Sequence, residues 1–114
     1  MPNYELIYIL DPDLTEEQLT ENVTRITAIA RDGGAQTQEP DRWPKRRLAY
    51  EIKGKREGFY VVERMQAEPE AMAELDRVLK LTEPVLRHMV VRLDEEWAPA
   101  VEEPEAKEPE VKES

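Results

Sequence analysis

Two successive β-α-β units predict an α+β fold for this chain: one antiparallel four-stranded sheet with both helices packed on a single face. Three observations carry that prediction. Short runs rich in β-formers alternate with two stretches whose apolar residues recur at helical spacing. Glycine and proline mark most of the boundaries between them. The length of 114 residues, with 39% apolar and 37% charged residues, suits one domain with one modest core.

The elements follow in order. "NYELIYIL" (3–10) reads as the first strand, stopped by the turn signal "DPD". Thr15 is placed as the N-cap of the first helix, and Gln18 completes a capping box. Leu19, Val23, Ile26 and Ile29 or Ala30 form its apolar stripe. Gly33 and Gly34 end it, because glycine readily adopts the left-handed cap conformation. The second strand is expected from about Ala35 to Lys53, interrupted at "PDRWP". "KGKREG" reads as a turn into the third strand, "FYVVERMQ" (59–66). Pro69 fits the first turn of a second helix, with Met72, Leu75, Val78 and Leu79 facing inward and Pro84 marking its end. "VLRHMVVRL" (85–93) is the fourth strand. This order is the split βαβ, or ferredoxin-like, pattern, and it assigns residues 1–97 to one domain. Residues 98–114 carry the repeating "PAVEE PEAKE PEVKE", which buries too little apolar surface to offset its ordering entropy, so an acidic disordered tail is expected.

Charge divides the same way. The formal net charge is −10, but from Asp94 onward nine acids and two lysines account for −7 of it. The predicted domain is therefore close to balanced, and local patches matter more than the total. From Arg42 to Arg56 the chain places seven basic residues and one acid, Glu51.

Catalytic chemistry is not indicated. There is no cysteine, which excludes disulfides and thiolate ligands. The single histidine, His88, has no orienting partner nearby in sequence and reads as structural. Asp11 and Asp13 flank a proline and read as a turn rather than a metal site. "DGG" at 32–34 follows a helix, whereas a phosphate loop precedes one. We expect no enzyme activity, no metal and no cofactor. The N-terminal stretch lacks a basic leader region, and no apolar run approaches the roughly 18 residues that span a bilayer. A soluble intracellular protein is the expectation.

The strands say more. The first, third and fourth are apolar on both faces, as in a sheet covered on both sides, yet two helices can cover only one. The other face is expected to be open and to mark an interaction site. Parity with Glu5 and Arg64 assigns Ile7, Ile9, Tyr60, Val62, Met89 and Val91 to that face, with Trp43 and Tyr50 extending it along the second strand. Lys45, Arg46 and Arg47 lie beside those two aromatics, and arginine forks suit phosphates. Joined to an open apolar face, the patch points to a small adaptor between nucleic acid and another protein.

"YELIYILDPDLTEEQL", "RRLAYEI", "GFYVVERM" and "VLRHMVVR" together resemble the bacterial small-subunit ribosomal protein S-six family over about residues 4–97. The resemblance implies a ferredoxin-like fold and a structural role in the small subunit of the cytoplasmic ribosome. It also implies binding to the small-subunit (16S) ribosomal RNA together with ribosomal protein S-eighteen. Arg46, Arg47 and Tyr50 match family positions, and Arg87 and Arg92 match basic positions of the fourth strand. Some members carry arginines directly before the first-strand tyrosine; Pro2 and Asn3 stand there in this chain, leaving Tyr4. Tyr4, Arg42, Lys45, Arg46, Arg47, Arg87 and Arg92 are thus the residues expected at RNA.

Two other readings share the fold. An RNA-recognition motif carries the third-strand pattern K/R-G-F/Y-G/A-F-V-x-F/Y, which "EGFYVVER" meets only in part. A homodimeric ferredoxin-like regulatory or enzyme domain would cover its open face with a second copy, but it needs polar groups converging in a pocket.

Overall fold

The computed structural model describes residues 1–93. The acidic stretch expected to be disordered, residues 98–114, and the domain boundary placed at residue 97 lie outside them.

Strand β1 (Asn3–Leu10) leads to helix α1 (Glu16–Asp32), a two-residue strand β2 (Gln36–Thr37) and a long strand β3 (Asp41–Ile52). Strand β4 (Lys55–Gln66), helix α2 (Pro69–Leu81) and strand β5 (Val85–Leu93) complete the domain. All pairings are antiparallel, and β4 lies between β1 and the β2 and β3 segments, with β5 at the far edge beside β1. This is the ferredoxin-like order that the two βαβ units require.

Helix α1 begins as its sequence dictates. The Thr15 hydroxyl accepts from the Gln18 N–H, and the Gln18 side chain accepts from the Thr15 N–H, which closes the capping box. At the other end the glycine pair divides its work. Gly33 sits at φ −84°, and only Gly34, at φ 98°, takes the left-handed conformation. Pro69 opens α2, where the missing N–H costs nothing. That helix ends at Leu81, three residues before Pro84.

The expected second strand is two pieces, β2 and β3, which both pair with β4. Pro44 does not interrupt β3; it lies within it. On the β4 side Arg42 pairs with Val61 and Lys45 with Phe59, so three steps on β3 match two on β4. Pro44 lies in this one-residue bulge, the place in a sheet where a residue without an N–H is tolerated. The turn between β3 and β4 is also shorter than "KGKREG". It consists of Lys53 and Gly54, at φ 52° and 79°, closed by the pair Ile52 and Lys55. Two left-handed residues make the tight hairpin turn whose twist matches that of the strands, so Lys55–Gly58 join β4.

The main core lies between the sheet and the helices. Tyr4, Leu6, Tyr8 and Leu10 of β1 alternate onto it, with Val61 and Met65 of β4. Helix α1 contributes Leu19, Val23, Ile26 and Ala30, and α2 contributes Met72, Leu75 and Leu79. The α1 stripe read from the sequence faces this core, with Ile29 packed at its margin; of the α2 stripe Met72, Leu75 and Leu79 do so, while Val78 is only half-buried and stands outside the cluster.

Candidate protein and nucleic-acid interface

Because side chains alternate along a strand, residues next to those of the core point to the opposite face. Direct cross-strand partners share a face. Ile7 lies between Val62 and Met89, and Ile9 lies between Tyr60 and Arg87. Glu5 lies between Arg64 and Val91. These side chains therefore form one array on the face away from the helices. It is not uniformly bare. Ile9 is buried in a small second cluster with Leu48 and Leu86, flanked by Ile52 and Tyr60. Met89 is 52% exposed, Val91 37% and Tyr50 59%. An open groove of about 250 Å³ runs between Ile7, Ile9 and Met89 on one side and Leu48, Tyr50 and Tyr60 on the other.

The β3 bulge organises the rim of this face. With one extra residue at Pro44, Trp43 and Arg46 stand three apart yet point the same way. Trp43 stacks on Tyr60 with ring centroids 5.8 Å apart, and its Nε1–H donates to Asp41 Oδ2 at 3.0 Å. The Arg46 guanidinium lies 4.9 Å above the Trp43 ring. Across the groove the Arg87 guanidinium lies 5.6 Å from the Tyr50 ring and donates to the Tyr50 hydroxyl. Two arginines are thus laid on aromatic faces at the border of an apolar groove. Stacking of this kind leaves the N–H edge of Arg46 open to an oxyanion, whereas Arg87 gives part of its edge to Tyr50.

The remaining basic residues divide. Lys45, paired with Phe59 and 5.4 Å from its ring, and Arg47, paired with Glu57, project to the other side of the same hairpin. Lys45, Arg46 and Arg47 make no ion pair among the described residues. Other cations of the run are engaged. Arg42 is held on the helix side by Glu16 at 2.8 Å and Thr20 at 3.1 Å. Lys55 donates to Asp13 at 2.6 Å, with Asp11 at 3.7 Å, and this hydrogen bond holds the Asp13 carboxyl below its usual range. The two aspartates read as a turn do form one, with Asp11 Oδ1 accepting from the Asp13 N–H.

Tyr4 and Arg92 face each other across β1 and β5 on the helix-covered side. Tyr4 is only 7% exposed and belongs to the core, so little of its side chain can reach a ligand. Arg92 is exposed at the end of its strand. The seven residues expected at RNA are therefore not one patch. Arg46 and Arg87 border the open face; Lys45 and Arg47 flank it on the hairpin; Arg42, Tyr4 and Arg92 lie on the other side.

His88 has a partner that sequence distance concealed. Its Nε2 lies 2.6 Å from Asp76 Oδ1 of α2, tying β5 to that helix and, with Lys80, holding the Asp76 carboxyl low. Among the described residues no three histidines or carboxylates gather as a metal site would require, and no helix is long and apolar enough to cross a membrane.

The molecule is thus a ferredoxin-like α+β domain with one sheet face covered by the helices and the other uncovered. The chain belongs to the ribosomal protein S6 family, whose model matches residues 3–92. It is similar to small ribosomal subunit protein bS6 of Desulforudis audaxviator, 49% identical over 94 residues that cover 82% of this chain and 100% of that one. The same protein of Streptomyces coelicolor is 47% identical, covering 81% and 96%. The crystal structure of 30S ribosomal protein S6 from Thermotoga maritima superposes with a TM-score of 0.77 at 27% identity, over 81% of this chain and 87% of that one. Membership makes this a structural protein of the small ribosomal subunit and not an enzyme.

Proposed function

We propose that this protein joins small-subunit (16S) ribosomal RNA to a second protein, ribosomal protein S-eighteen, within the small subunit. The reading rests above all on the open sheet face, where an apolar groove meets arginines stacked on Trp43 and Tyr50. An uncovered apolar face suits a folded partner. Cations free of internal ion pairs suit phosphates. Ile7, Ile9, Tyr60, Val62, Met89 and Val91, extended by Trp43 and Tyr50, form the protein-docking surface. Arg46, Arg47 and Lys45 at the hairpin, with Arg87, meet the RNA backbone. Arg42, Tyr4 and Arg92 contribute less, because Arg42 is held by Glu16 and Thr20, Tyr4 is buried in the core and Arg92 lies on β5, away from the hairpin.

The experiment is to replace Arg46 and Arg47 together by alanine and measure assembly onto the RNA–protein target across salt concentrations. Binding weakens, and the slope of log K against log salt becomes shallower by about one unit per lost phosphate contact. Weaker assembly with an unchanged slope assigns these arginines to the protein partner instead.

A further inference from the structure

Glu63 is the one carboxylate buried among the described core residues. It lies on β4 opposite Leu6 of β1, on the helix-covered face, and is 0% exposed. The buried Thr27 hydroxyl of α1 lies 3.1 Å from both of its carboxyl oxygens. A hydroxyl has one hydrogen, so Thr27 can serve only one oxygen at a time. No ion pair reaches Glu63 among the described residues. Two strand positions along β1, the Tyr8 hydroxyl is buried without a hydrogen-bond partner.

The surroundings favour the neutral acid. Burial is the largest influence and pushes the Glu63 carboxyl up to about 7. The Thr27 hydrogen bond and the Arg31 guanidinium of α1 oppose that rise, and Glu39 from the β2–β3 connection adds to it. On β1 the Tyr8 hydroxyl is pushed above its ordinary range by burial, then by Glu63, with Arg42 of β3 opposing. A groove of about 450 Å³ between α1 and the β2–β3 segment is lined by Thr27, Arg31, Glu39 and Arg42. Thr27 therefore joins the buried carboxyl to a surface groove.

We propose that Glu63 is a protonation latch between α1 and β4: as a neutral acid it is tolerated in the dry layer under α1, and its ionisation there, offset only in part by the Thr27 hydroxyl, loosens α1 and the β2–β3 flank toward the adjoining groove. The sign follows from linkage. A carboxyl that binds its proton more tightly when folded adds stability fully present below its unfolded value near 4.5. That stability is lost as pH rises through about 7. In that window one proton changes the folding equilibrium constant by up to tenfold per pH unit, roughly two orders of magnitude in all.

The test uses the full chain. The Glu63 side-chain carboxyl carbon, followed by NMR, is expected to titrate near pH 7; a midpoint below pH 5 overturns the proposal. Denaturant unfolding at pH 5 and pH 8 is compared between wild type and Glu63→Gln. Wild type is expected to lose up to roughly a hundredfold in folding equilibrium constant relative to the variant between those two conditions. An equal pH response in both overturns it. Amide protection factors across Val23–Ala30 are expected to fall from pH 6 to pH 8 in wild type and to stay level in Glu63→Gln. Level values in both refute the loosening of α1. Should Glu63→Gln not fold, Thr27→Val removes the donor that favours the ionised form, so the Glu63 midpoint moves up. A midpoint that stays or falls counts against the latch.

Discussion

At the scale of single residues, His88 and Glu63 are each held by a side chain distant in sequence, Asp76 and Thr27. His88 was read as structural, and it is, but Asp76 twelve residues earlier could not be paired with it before α2 was packed on β5. Glu63 was harder. Parity with Glu5 and Arg64 puts its position on the core face, but the partner it meets there, Thr27, is 36 residues away and reaches it only once α1 is packed on β4. Gly58 shows a different kind of hidden role. It matches part of an RNA-recognition signature, yet a Cβ there would stand 2.4 Å from Ile9 Cγ2 and 3.2 Å from the Leu10 carbonyl oxygen. Its function is close packing of β4 against β1. Gly58→Ala is expected to destabilise the fold by about 1–3 kcal/mol, the usual scale of overpacking, in thermal or denaturant unfolding. A cost under about 0.5 kcal/mol would mean that Ile9 simply turns aside.

At the scale of elements, β1 and β5 were legible to the residue because their runs of β-forming residues are bounded by turn signals. The α1 cap was equally legible, since Thr15 and Gln18 carry their own geometry. Thr15→Ala is expected to cost about 0.5–2 kcal/mol, checked by chemical unfolding, with the loss confined to stability because the cap is remote from the open face. The second strand was less legible for two physical reasons. A bulge depends on the count of residues in the partner strand, which no single strand reveals. A two-residue turn with a lysine at φ 52° does not look like a turn by composition, so the more polar "KGKREG" absorbed residues that belong to β4. The bulge has a functional consequence, because it puts Trp43 and Arg46 on the same face.

At the scale of the whole molecule, two helices and one sheet leave one face to be covered by something else. That asymmetry was readable from the sequence as strands too apolar for a two-layer fold. The distribution of charge around it was not, since Arg42 and Lys55 are drawn into internal ion pairs while Arg46 and Arg87 lie on aromatic rings. The central claim is that the open face exists for association and contributes little to folding. Val62 stands at its middle, half-buried, opposite Ile7 of β1 and Asp41 of β3. A charge there should be tolerated by the free domain and refused by an apolar partner. The decisive measurement is the stability of Val62→Glu beside its affinity for ribosomal protein S-eighteen. Thermal unfolding is expected within about 1 kcal/mol of wild type, the scale of exposed changes. Partner binding is expected to weaken at least tenfold, about 1.4 kcal/mol. A variant that unfolds, or one that keeps both its stability and its partner, contradicts the account.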